Sequence, residues 1–330
     1  MGGPTMATVN VSREQLLERR RQVGGIPGEG SQASAAVAEI DEALGRLDRG
    51  AYGLCDVCHE PVETDRLLAN PLVRLCLDHL TEPQRRELEL DLALARQMQN
   101  ALLPPRTPHL DGWDIAYAYR PAGVVSGDYV DVIPADDGAG LCLLGDVSGK
   151  GVAASLLMAS LQATFRSLAT AGLPLADMLA RGNRMFLDST VPSSYATLVG
   201  GWLHRGGHAD LFSAGHPPPL WRHGDGTVEP IRATGLPFGL FTRIEHTPVS
   251  LQVAPGDVLV LYSDGVSDAE SRDGSVFGTR PLETLLGRDG SGSASEIVER
   301  ASDLLDTFGA GAPRIDDETL LVVKRMADGE

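Results

Sequence analysis

Four aspartates stand where short apolar runs meet tight turns, and few folds can use such a pattern. They are Asp128 in Ser126-Gly127-Asp128-Tyr129, Asp146 in Gly145-Asp146-Val147-Ser148-Gly149, Asp264 in Tyr262-Ser263-Asp264-Gly265, and Asp316 in Asp316-Asp317-Glu318-Thr319. The runs beside three of them, 141–144, 258–262 and 320–323, are rich in Leu and Val and bounded by turn residues, which predicts buried strands. Strands of this kind can aim their ends at one point. Carboxylates gathered there repel one another unless cations balance them, and an all-oxygen set with no His or Cys nearby favours Mg²⁺ or Mn²⁺. The sharp reading is a two-metal hydrolytic centre; the plain alternative is that Asp-Gly and Gly-Asp pairs simply make turns.

Composition bounds the rest. A chain of 330 residues with 42% hydrophobic content has room for a large core and a smaller module. No apolar run reaches the roughly 20 residues expected of a bilayer span, and the start of the chain lacks a signal-peptide h-region, so the expected location is the cytoplasm with no membrane partner. The net charge of −17 disfavours nucleic acid and anionic lipid, because phosphate contacts need clustered Lys and Arg. Proteins are the expected partners.

The aspartate motifs keep company with others in a fixed order: Gln99-Asn100-Ala101-Leu102-Leu103-Pro104, Gly127-Asp128-Tyr129-Val130-Asp131, Gly145-Asp146-Val147-Ser148-Gly149-Lys150-Gly151, Ala214-Gly215-His216-Pro217-Pro218, Pro255-Gly256-Asp257 and Tyr262-Ser263-Asp264-Gly265. From about residue 97 to 323 this layout resembles the PPM-type metal-dependent protein serine/threonine phosphatases, in their SpoIIE/RsbU-like bacterial branch. The resemblance implies an α+β fold, a four-layer αββα sandwich with the metals at one edge between two sheets. It implies that Asp146 bridges two Mn²⁺ or Mg²⁺ ions, that the carbonyl of Val147 adds a neutral ligand, and that Asp128, Asp264 and Asp316 complete the metal-binding, catalytic set. Such an ion pair acidifies a water for in-line attack on a phosphoserine.

Two departures from the family stand out. Ser148 occupies the place where many animal-type members have a candidate general-acid His, and Arg120 lies near but out of register with the expected phosphate-gripping Arg. His216 reads either as a strand-end structural hydrogen bond or as a proton-transfer group. Asp131 and Asp317 read as outer supports of the metals or as solvated, and Lys150 as a substrate-docking group or a solvated lysine.

Cys55 and Cys58 form a Cys-x2-Cys knuckle, followed by Cys76 and His79. Four ligands at paired short spacings suit one tetrahedral Zn²⁺, and a closed protein set makes it structural. Residues 10 to 82, through Gly50-Ala51-Tyr52-Gly53-Leu54-Cys55 and Arg66-Leu67-Leu68-Ala69-Asn70-Pro71, resemble a DksA/TraR-type zinc finger. His79 departs from that family's usual fourth Cys, and His59 competes for the place. Cys142 lies in an apolar run and reads as core.

Ahead of the finger, segments 11–23 and 34–47 have helical periodicity around the breaker-rich stretch 24–30, which predicts a helical hairpin. Relatives of the finger use a longer hairpin with an acidic tip to reach RNA polymerase; here the tip is Gly-rich with only Glu29, which favours a structural or partner-docking role. Segment 82–103 places Leu88, Leu92, Ala95, Gln99 and Leu102 on one face, a stripe that packs either on its own domain or on a second chain; in the resembled proteins such a helix joins two protomers, implying a homodimer. Further helices are expected at 152–169, 174–187 and 294–307, and further strands at 113–119, 130–133, 196–203, 208–213 and 219–221. The expected organisation is therefore a finger module at 1–81, a linker helix at 82–107 and a phosphatase domain at 108–326. The expected function is hydrolysis of phosphoserine on a regulatory protein, a STAS-domain anti-anti-sigma factor in a partner-switching pathway. The alternatives are a transcription-associated binding protein contacting polymerase through the finger, and a small-molecule phosphatase.

Overall fold

The computed structural model describes residues 31–327 except 64–65, 68–69, 136, 191–193 and 233–234, together with residues 13, 15–18, 20 and 21. The chain forms two compact units, residues 1–91 and 92–330.

In the first unit, helix α1 (Ser31–Asp48) follows helical residues 15–18. Arg13 pairs with Asp48 and Arg20 with Asp41, so residue numbers fall on one side as they rise on the other, the signature of an antiparallel hairpin. The tip of that hairpin, with Glu29, lies outside the described residues. Leu16, Ile40, Ala43 and Leu47 bury against Tyr52, Val62 and Leu67 of the finger, giving this small module one apolar core. Helix α2 (Glu82–Leu102) begins in this unit and continues into the second.

Among the described residues the second unit contains ten strands in two five-stranded antiparallel sheets. One has the order β1 (Trp113–Arg120), β10 (Glu318–Arg325), β9 (Val258–Tyr262), β6 (Leu220–Arg222), β7 (Val228–Pro230). The other runs β2 (Asp128–Pro134), β3 (Gly140–Val147), β4 (Ala196–Leu203), β5 (His208–Ala214), β8 (Val249–Gln252). Alternation of side chains sorts the strands into layers. Leu259, Leu261, Leu321 and Val323 meet Val130, Val132, Cys142 and Leu144 in the core between the sheets. Their neighbours Val258, Val260, Leu320 and Val322 face outward onto α6 (Arg280–Asp289) and α7 (Ala294–Gly309). On the far side, Leu141, Leu143, Leu198 and Phe212 pack on α3 (Gly151–Ala169) and α4 (Leu175–Ser189). The result is the four-layer αββα sandwich.

Local chemistry sets the helix ends. A capping box of Ser293 and Glu296 starts α7, and Pro281 in the first turn suits the start of α6, where its missing N–H costs nothing. At 19 residues and mean hydropathy 1.2, α3 is long and apolar enough to cross a membrane by composition alone, above the sequence expectation; here Met158, Leu161 and Phe165 pack it onto the second sheet.

Candidate metal centres

Strand parity brings the carboxylates together. On β2 and β3 the even-numbered residues point between the sheets, so Asp128 and Asp146 do too, and they are direct cross-strand partners. Like charges directly opposite each other are destabilising. From the other sheet, Asp264 opens the short helix α5 (Asp264–Ser267) at the end of β9, and Asp316 lies just before β10. Burial is graded: Asp128 is 1% exposed, Asp146 half-buried, Asp264 and Asp316 exposed.

The electrostatics report the crowding. Burial, then the charge of Asp146, holds the Asp128 carboxyl well above the usual carboxylate range. Burial and the charges of Asp264, Asp316 and Asp317 push Asp146 up to about 7. Asp264 is raised by burial and by Asp316. Among the ion pairs of the described residues only Lys150 reaches one of the four, its Nζ 3.6 Å from Asp316. An all-oxygen set with excess negative charge, buried at Asp128 and opening to solvent at Asp264 and Asp316, fits hard divalent cations.

Surrounding polar groups fix these side chains. Thr319 Oγ1 donates to Asp128, whose own N–H donates to Ser126 Oγ at 3.0 Å. Ser263 ties the ends of β9 and β10: its Oγ donates to Asp317 O at 3.0 Å and accepts from Thr319 N at 2.9 Å. Asp317 accepts from Ala122 N at 2.7 Å and Gly127 N at 2.9 Å, pinning the turn that carries Asp128. Gly127 lies so close to Val147 that a Cβ there would stand 2.9 Å from the Val147 carbonyl and 3.3 Å from Asp146 Oδ1. At Gly265 a Cβ would sit 2.0 Å from Asp317 O, so only glycine lets Asp264 approach Asp316.

Other residues singled out in the sequence go elsewhere. Asp131 has odd parity on β2 and faces α3, where Arg166 grips it with two hydrogen bonds of 2.7 and 2.8 Å; it supports the sheet–helix contact and not the metals. Arg120 is occupied by Asp306, Glu318 and the Ser302 carbonyl. Ser148 Oγ accepts from Tyr195 N at 2.9 Å, a loop contact. His216 lies between Thr197 Oγ1 at 2.8 Å and the Tyr262 carbonyl at 3.1 Å, joining the two sheets, and burial pushes its pKa down to about 3. A neutral imidazole donating from Nε2 and accepting at Nδ1 satisfies both contacts. The sequence reading missed the grip of Gln99 on Ser126: Nε2 donates to Ser126 O at 2.7 Å and Oε1 accepts from Ser126 N at 2.9 Å. The signal was present in Gln99 itself, an amide in an otherwise apolar stripe.

In the first unit Cys55, Cys58, Cys76 and His79 place their ligand atoms within 4.8 Å of one another. The Cys58 and Cys76 sulfurs are 3.8 Å apart, and Cys76 Sγ is 3.1 Å from His79 Nδ1. Sulfurs bound to one tetrahedral zinc at about 2.3 Å would stand about 3.8 Å apart, so the set fits Zn²⁺. Burial and the two neighbouring sulfurs push the Cys76 thiol up to about 11, a cost that a divalent cation removes. His59 adopts a left-handed turn at φ 60 and is exposed, outside this cluster.

Comparison with known proteins identifies the family and the fold. The family model for Stage II sporulation protein E (SpoIIE) matches residues 136–326. This chain belongs to the SpoIIE family. The match of this SpoIIE-family chain begins after Asp128, which enters the site by pairing with Asp146. A second model, the prokaryotic dksA/traR C4-type zinc finger, matches residues 50–78, one residue short of His79. The phosphoserine phosphatase RsbU of Bacillus subtilis is 28% identical over 244 residues, 73% of this chain and 72% of RsbU. Protein IcfG of Synechocystis is 28% identical over 265 residues, 72% of this chain, but the chain spans only 42% of IcfG. The solved RsbU and RsbW domains of Rv1364c from Mycobacterium tuberculosis superpose with a TM-score of 0.58 at 29% identity, covering 68% of this chain and 62% of that one.

Proposed function

We propose that the chain is a Mn²⁺- or Mg²⁺-dependent protein serine phosphatase. The carrying observation is the convergence of Asp128, Asp146, Asp264 and Asp316 at one edge of the sandwich, with mutual repulsion that calls for cations. Asp128, Asp146, Asp264 and Asp316, with the Val147 carbonyl as a neutral ligand, would hold the two ions. When bound, the pair supplies positive charge for the phosphoryl oxygens and acidifies the attacking water. The chain's own part is positioning: Asp317, Ser126, Ser263 and Thr319 hold the carboxylates in place before substrate arrives, so little reorganisation is needed in the transition state. His216 bonds to both sheets, which supports its structural reading over a proton-transfer role.

RsbU is named a phosphoserine phosphatase, and by that likeness the substrate here is a phosphoserine on a regulatory protein, a STAS-domain anti-anti-sigma factor in a cytoplasmic partner-switching pathway. The finger module binds one structural Zn²⁺ through Cys55, Cys58, Cys76 and His79. We assign a homodimer seam to α2, but on a different stripe from the one expected. Of the expected stripe Leu88, Leu92 and Ala95 are half-buried, Gln99 is buried and Leu102 is 37% exposed, whereas Leu90, Leu94 and Met98 are 71, 56 and 64% exposed. The test of activity is incubation of the purified protein with Mn²⁺, a panel of phosphorylated STAS-domain proteins and a chromogenic phosphate ester. Phosphate release from a STAS-domain protein supports the reading. Turnover of the ester alone points to a small-molecule phosphatase, and release from neither to a binding role for the finger.

A further inference from the structure

A cleft of about 420 Å³ opens beside the carboxylate edge, a volume typical of ligand pockets. Its walls are the 122–125 loop, residues 150–152 at the start of α3, and residues 314–317, so Asp316 and Asp317 are shared with the metal centre. A group seated there would adjoin the reacting phosphate. Part of the lining is aliphatic: Val124, Val152 and Ile315 are 43, 45 and 50% exposed beside the carboxylates. Apolar side chains left open beside a polar centre mark a contact surface.

Over the cleft stands Lys150. Lys150 keeps 70% of its side chain exposed while its Nζ donates to the Ile315 carbonyl at 2.6 Å and lies 3.6 Å from Asp316. The chain has a single other lysine, Lys324, held by the carbonyls of Ser291 and Gly292 far along β10. Arg314 also lines the cleft but is engaged by Glu318 and Asp306. In a chain of net charge −17, an exposed ammonium at this edge gives a phosphate dianion a local attraction that the molecule as a whole does not. The cleft is also held in shape. Asp317 binds the backbone at Ala122 and Gly127, on either side of Val124.

Building on the phosphatase reading above, we propose that this cleft receives the aliphatic residue next to the phosphoserine of a protein substrate, with Lys150 drawing the phosphate toward the carboxylate edge. The protein then favours phosphoserine flanked by Leu, Ile or Val over small phosphate esters and over glycine-flanked sites.

The test compares kcat/KM, in Mn²⁺, for p-nitrophenyl phosphate and two synthetic phosphoserine peptides, one with leucine and one with glycine on both sides of the phosphoserine. The leucine peptide should exceed the glycine peptide by about 10-fold or more, the discrimination an apolar pocket gives for an aliphatic group. A Val124→Ser, Val152→Ser double variant should bring the two peptides close to parity, its melting curve reporting that it is folded. Equal wild-type rates for the two peptides, or a leucine preference that survives in the folded variant, would overturn the docking role and leave the phosphatase reading standing. The wild-type comparison decides the matter even if the variant misfolds. Wild type that turns over neither peptide would overturn the docking role, and the phosphatase reading falls with it only if phosphorylated STAS-domain proteins are not turned over either.

Discussion

Asp128 and Asp131 lie three residues apart on one strand and have opposite roles, because an odd spacing on a strand puts side chains on opposite faces. Asp128 enters the crowded edge between the sheets, and Asp131 neutralises Arg166 under α3. His216 shows the same economy of place. Its ring bonds Thr197 on one sheet and Tyr262 on the other, and burial favours the neutral form. Its folded pKa of about 3 lies below the ordinary value of 6.5, so the unfolded chain binds more protons between those limits. Stability from this residue is therefore full above about pH 6.5 and is lost as pH falls toward 3, at no more than about 1.4 kcal/mol per pH unit. Urea melts of wild type and His216→Gln at pH 7.5 and pH 5 check this: the variant should be less stable at pH 7.5 and lose less on acidification. At the finger, Cys58→Ser should abolish the expected single equivalent of bound zinc and melt the first unit, read by elemental analysis and by proteolysis before residue 91, while leaving the phosphatase sandwich folded.

Helix α2 carries two stripes with different destinations. Leu92, Ala95 and Gln99 turn toward their own domain, and Gln99 ends as a two-point grip on Ser126, two residues before Asp128. Gln99→Ala should lower kcat by about 10- to 100-fold with an unchanged circular dichroism spectrum, since a small misplacement of a reacting group costs that much. Leu90, Leu94 and Met98 form the outward stripe. Replacing Leu90 and Leu94 with Glu should convert a dimer to a monomer in light scattering; a dimer that persists places the seam elsewhere. The amphipathic helix was legible from sequence, but the choice between its faces was not, because leucines occupy both and only packing decides which is covered. Likewise the run 258–262 was readable as a strand because all five residues are buried. The edge strands β7 and β8, three and four residues long with exposed positions, give no such pattern. Helix α6 escaped notice because it buries only Leu282 and Leu286 and leads into a Gly-Ser stretch. The four carboxylates and the zinc ligands were readable as motifs, whereas the contacts of Thr319 and Asp317 depend on strands brought together from across the chain.

At the scale of the molecule, two sheets close over a common core and leave one edge where strand ends from both sheets deliver carboxylates. The sandwich supplies the rigidity that keeps like charges together, and divalent cations would supply the charge that makes the arrangement favourable. Substituting one carboxylate should thus separate activity from stability: without metal, less repulsion makes the variant at least as stable as wild type, although it cannot hold the ions. The most direct measurement is Mn²⁺-dependent phosphate release from a phosphoserine protein by wild type and by Asp146→Asn, paired with melting temperatures in EDTA. Activity should fall by at least about 10³-fold in the variant, in line with removal of a principal source of transition-state charge stabilisation, with an EDTA melting temperature equal to or above wild type. Phosphate release by Asp146→Asn at close to the wild-type rate would contradict the proposed metal centre.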